Sequence, residues 1–232
     1  MQLKKAIALF LCLLLCMQVL TGSVFATDAN VKSISGGGVK VVFDEATATI
    51  ALYKVDGENE HQMSHSSTMG YPVVNGQAVQ DFTNHTCTVV TSVNGVQGTV
   101  QRMTITSTSP STGLTRTYTL EVSADVADII YTQTTYRAGD TAVTPTWFVD
   151  NVFSLANNTS TIWSYNGGGE GPMHYYDTIQ KIDLSDSTTF TRENKQDSTA
   201  ASIPVADIYS ANGGITVGDA STTRREVHTP IE

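Results

Sequence analysis

Thr115 to Ser123 sets Thr117, Thr119 and Glu121 against Tyr118, Leu120 and Val122, a strict two-residue alternation. Only a half-buried antiparallel strand puts such a set of apolar side chains on one face. The same period, with many β-branched residues, recurs along most of the chain, and a helical period is nearly absent. This excludes bundles and folds with helices packed on a sheet, and it predicts an all-β protein, a large antiparallel β-sandwich.

Strands are predicted at Val39 to Asp44, Thr47 to Lys54, Cys87 to Val93, Thr99 to Ser107, Thr115 to Ser123 and Ile129 to Arg137. The series continues at Trp147 to Leu155, Ile162 to Tyr165, Thr178 to Leu184, Ile203 to Ser210 and Ile215 to Gly218. Asn94-Gly95-Val-Gln-Gly98 has the glycines of a hairpin loop with positive backbone dihedrals. Val100, Met103 and Ile105 suggest a register change and a bulge near Arg102. Gly57 to Met69 and Ser185 to Ser202 read as polar loops, and Asp125 to Asp128 hints at a helical turn.

Residues 1–26 have the order of a secretory signal: Lys4 and Lys5, an apolar run from Ala6 to Leu20, and the small-residue exit Val24-Phe-Ala26. The run is shorter than the ~20 residues of a spanning helix, so export and a secreted, extracellular location are expected, with no membrane association after cleavage. Residues 27–220 are then one β domain, and 221–232 a tail or the start of a linker. Losing the signal removes Cys12 and Cys16 and leaves Cys87, so stability has to come from core burial instead of a disulfide. A net charge of −9 argues against nucleic acid, whose phosphates require clustered Lys and Arg.

Few motifs carry chemistry. Gly167-Gly-Gly-Glu-Gly171 lacks the Gly-Lys-Ser/Thr and following helix of a phosphate loop. His61 and His65 are four apart, but in a segment without helix signals, and no metal or other cofactor is implied. His85, His174 and His228 are scattered without a readable triad. Cys87, flanked by threonines, reads as a small buried hydrophobe. Aromatic residues are the better candidates, because sugars present apolar C–H faces to rings while amides and carboxylates hold their hydroxyls. Trp163 and Tyr165 precede the glycine-rich turn and Tyr175, Tyr176 and Asp177 follow it, which makes these five the candidate carbohydrate contacts.

The order Trp163-Ser-Tyr-Asn-Gly-Gly-Gly, Ser202-Ile-Pro-Val-Ala-Asp-Ile-Tyr-Ser and Gly213-Gly-Ile-Thr-Val-Gly218 resembles the end of the N-terminal β-supersandwich of α-galactosidase (melibiase)-like glycoside hydrolases. The resemblance covers roughly Trp147 to Gly218. It departs from the family at Thr199-Ala-Ala-Ser202, where a glycine run is usual. It implies a galactose-mutarotase-like supersandwich that binds an oligosaccharide or galactoside. The family's catalytic aspartates sit on a TIM barrel of ~250 residues, which no segment here supplies, so no catalytic residue is assigned. The reading is a non-catalytic portion of such a hydrolase, whose partner is the missing barrel or another chain. The alternative is a stand-alone carbohydrate-binding or adhesion domain.

Overall fold

A computed structural model describes residues 29–153 and, beyond them, strands at 160–166, 178–184, 190–195, 205–210, 213–218 and 226–231. The described residues form no helix; they are strands joined by turns, with two antiparallel sheets packed as a sandwich. The signal-like residues 1–26 lie outside the described residues.

The first sheet is built from β1 (Val31–Gly36), β2 (Val39–Asp44), β3 (Thr49–Asp56), β4 (Asn59–Val74) and β10 (Pro145–Val152), in that spatial order. The short β5 (Gln77–Ala78) folds back on β4 through Asn75-Gly76, both with positive φ, as a tight two-residue hairpin requires. The second sheet runs β6 (Thr83–Gly95), β7 (Gly98–Thr108), β8 (Thr115–Ser123) and β9 (Ile130–Arg137) as an up-and-down meander.

Alternation decides which side chains meet between the sheets. From the first come Ile34, Val39, Val41, Phe43, Ile50, Leu52 and Met69; from the second, Met103, Ile105, Tyr118, Leu120 and Val122. Phe43, Val41, Met103, Ile105 and Val122 are completely buried. Each side chain of this size stabilises the fold by about 1.5–3 kcal/mol relative to exposure. Phe82, Leu114 and Val79 make a second, smaller core.

Further along the chain, β11 (Ser160–Asn166), β12 (Thr178–Leu184), β14 (Val205–Ser210) and β15 (Gly213–Gly218) form a four-stranded antiparallel sheet in the order β12-β11-β14-β15. Ile215 of β15 packs against the main core. Two expectations change here. The stretch from Ser185 to Ser202, read as a loop, contains β13 (Phe190–Lys195), and the tail contains β16 (Glu226–Ile231), its antiparallel partner.

The polar segment Gly57 to Met69 is likewise no loop, because most of it belongs to β4. Its alternation is hidden by two register shifts against β3 that turn Ser64 and Ser67 into the interior, where their hydroxyls bond each other at 3.0 Å. His61 and His65 are therefore exposed on a strand about 13 Å apart, too far to share an ion. Asp125 to Asp128 is a turn, not a helical one; its Asp128 N–H donates to Gly37 O at 2.7 Å.

The β6–β7 hairpin closes as expected, and Gly98 takes φ 84°. Gly95 serves a different purpose. The hairpin end curls onto the outer face of the second sheet, and a Cβ on Gly95 would lie 2.5 Å from Val100 Cγ2 and against the Glu121 carboxylate. Glu121, 3% exposed, accepts Arg102 Nε at 2.8 Å and Val96 N at 3.0 Å. Val100 thus points outward and is buried by the hairpin. The alternation of β7 is unbroken, and the register shift lies in β6, between Val90 and Val93.

Gly95→Ala should destabilise the protein by about 1–3 kcal/mol in urea unfolding, because the buried carboxylate would lose its hairpin donor. An unchanged midpoint would show that the hairpin does not seal Glu121.

Candidate functional site

β11 positions two of the five candidate carbohydrate contacts. Trp163 and Tyr165 occupy alternate positions on this central strand, with Trp163 in register with Lys181 of β12 and Asp207 of β14. Tyr165 is in register with Ile179. The backbone therefore brings an indole residue, a lysine and an aspartate together across three strands, a juxtaposition of residues 44 positions apart (207 − 163) in sequence. Tyr175, Tyr176, Asp177 and Gly167 to Gly171 lie outside the described residues.

The described carboxylates with assigned partners hold the architecture. Glu121 seals the β6–β7 hairpin. Asp81 accepts Ser109 Oγ at 2.6 Å and Ser111 N at 3.0 Å, and these bonds, the Ser109 hydroxyl first, hold its carboxyl below the usual range. Glu45 accepts the Cys87 N–H at 2.9 Å, Asp44 accepts the Ala46 N–H, Glu60 pairs with Lys40, and Asp128 with Lys54. These acids are committed to turns, strand ends and surface pairs. None of these contacts sets two of them facing each other across a cleft, the arrangement glycoside hydrolysis needs.

The sandwich interior contains a polar group that alternation alone does not reveal. Arg116, 5% exposed on β8, donates Nη1 to Gly70 O at 2.7 Å and to Met69 O at 3.4 Å, and Nε to Ser107 Oγ at 3.2 Å. Its guanidinium lies 4.1 Å from the Phe82 ring centroid. Burial pulls its pKa down to about 10, so it remains a cation at neutral pH. Nearby, Tyr118 Oη bonds Asn151 Oδ1, and Asn151 Nδ2 reaches Thr132 Oγ1 at 3.4 Å. Both groups tie β8 to the opposite sheet. The sequence signal for Arg116 was its place in the apolar phase of an alternating strand.

Cys87 is partly buried against the core, as expected for a small hydrophobe. Burial, followed by the Glu45 charge, pushes its thiol up to about 11. Among the described residues no group of three or more His, Cys, Asp or Glu could hold a metal.

No family model matches the chain. A protein of Flavonifractor plautii named A type blood alpha-D-galactosamine galactosaminidase is 54% identical to it over 241 residues. That alignment takes in 99% of this chain but 22% of the relative, so the chain spans just over a fifth of that protein's length. The similarity runs through all the sheets described above.

His85 supplies a measurable electrostatic consequence. Burial first, and then the charge of Arg116, lower its pKa, while a bond involving the Phe82 backbone opposes them. The folded state prefers the neutral ring, so its contribution to stability is present above the ordinary value of 6.5 and is lost as pH falls below it through the lowered folded pKa. Unfolding measured between pH 7 and 5 should show the wild type losing more stability than His85→Gln. Equal slopes would remove His85 from the acid response.

Proposed function

We propose that this chain is a non-catalytic β-supersandwich portion of a secreted glycoside hydrolase of the α-galactosidase and α-galactosaminidase kind. The observation that carries the reading is 54% identity over essentially the whole chain to a stretch of a protein named as a galactosaminidase. The all-β sandwich and the structural employment of its described carboxylates agree with a supporting role. On this reading, the chemistry belongs to a catalytic module elsewhere in a longer protein or to a partner chain. On the same reading, Trp163, Tyr165, Tyr175, Tyr176 and Asp177 contact the glycan. A ring at Trp163 gives an apolar sugar face something to stack on, and Asp207 and Lys181 in the same register supply polar partners.

The 232-residue chain alone should release no chromophore from a nitrophenyl α-galactosaminide or α-galactoside above the buffer rate. Turnover by the pure chain would refute the supporting role. Binding of galactosamine or a galactoside should weaken roughly tenfold in Trp163→Ala, about 1.4 kcal/mol. Unaltered affinity would take Trp163 out of the contact.

A further inference from the structure

The outer face of the second sheet carries an array of threonines that neither the core nor the proposed hydrolase role uses. Strand register lines up Thr86, Thr106, Thr117 and Thr135 as one rung across all four strands. Beside it lie the rungs Thr88, Thr104, Thr119, Gln133 and Thr83, Thr108, Thr115, Arg137. Neighbouring strands are about 4.8 Å apart, so one rung spans about 14 Å of flat surface. The curled β6–β7 hairpin closes one end of this face over Val100 and Glu121.

At the other end is an open depression of about 470 Å³, lined by Thr106, Thr115, Thr117, Thr135, Tyr136 and Arg137. Arg137 is exposed on the edge strand β9 and forms no ion pair among the described residues. Threonine χ1 is restricted by its branched Cβ, so these hydroxyls are largely oriented before anything binds, and little side-chain entropy is lost. Each hydroxyl both donates and accepts, which matches a polyhydroxylated ligand, while the guanidinium fork matches a carboxylate or sulfate. One cation is too few for a nucleic acid backbone, and the net charge of −9 opposes non-specific attraction of polyanions.

We propose that this depression binds an anionic saccharide, a glycan carrying a carboxylate or sulfate, with Arg137 holding the acid group and Thr106, Thr115, Thr117 and Thr135 bonding its hydroxyls. The ligand differs in charge from an amino sugar, whose ammonium Arg137 would repel, so this site is separate from the contact assigned to Trp163.

The test is calorimetric titration of the full chain with N-acetylneuraminic acid, glucose 6-sulfate and neutral glucose, none of which is a galactoside that the Trp163 contact would take. Either acidic sugar, or both, should bind about tenfold more tightly than glucose, the size of a charge-assisted contact at an accessible site. Which of them binds identifies the acid group. Arg137→Gln should erase that preference, Thr117→Val should weaken acidic-sugar binding several-fold, and Trp163→Ala should leave it unchanged. Failure of both acidic sugars to bind, or a preference that survives Arg137→Gln, would overturn the proposal. So would loss of acidic-sugar binding in Trp163→Ala, or equally effective competition by sodium sulfate, which would mean a simple anion contact. A failed hydrolase reading would leave these outcomes untouched.

Discussion

A charged guanidinium inside a sandwich of apolar side chains is the constraint on which much of this architecture depends. Arg116 can remain there because Gly70 O, Met69 O and Ser107 Oγ receive its hydrogens and Phe82 covers its face. A buried charge without such partners costs several kcal/mol, so the position of β4 over β8 is specified closely. Hydrophobic contact alone tolerates small sliding between sheets, but a hydrogen bond of 2.7 Å does not. Tyr118 and Asn151 reinforce the same seam from β10.

The second sheet then shows two different surfaces. Its inner face is committed to the core, and its outer face is divided between a sealed end and an open one. Glu121, Arg102, Val100 and Gly95 make the sealed end, where the hairpin keeps the Glu121 carboxylate from water while its partner Arg102 stays partly exposed. The open end is a threonine lattice bounded by Arg137. Stiff polar side chains on a rigid sheet suit recognition better than bond cleavage, which needs acids of unequal pKa converging on one atom. The described carboxylates with assigned partners instead hold turns, strand ends and surface lysine pairs. That division agrees with the supporting role proposed above.

How much was legible can be judged from particular residues. The phase of β8 follows directly from alternation, since burial of one face imposes a period of two. Val100 reads as a register change because sequence does not show that a hairpin can fold back and bury an outward side chain. β4 was missed because its register shifts place Ser64 and Ser67 inside and histidines outside. β13 and β16 lie more than 30 residues apart in sequence, so neither segment displays its partner locally. Of the candidate carbohydrate residues, Trp163 and Tyr165 fall on β11, while the other three lie outside the described residues.

By itself, the sequence determined the class of structure: strands, one apolar face each, and a core built by burial, because local alternation leaves no other stable arrangement for these side chains. It also named residue types suited to sugar. Tertiary structure decided which of them meet, since register between β11 and β14 sets Trp163 beside Asp207 and register along the β6–β9 meander aligns four threonines in a row. Those meetings come from backbone hydrogen bonds between strands, and the alternation within any one strand does not record them.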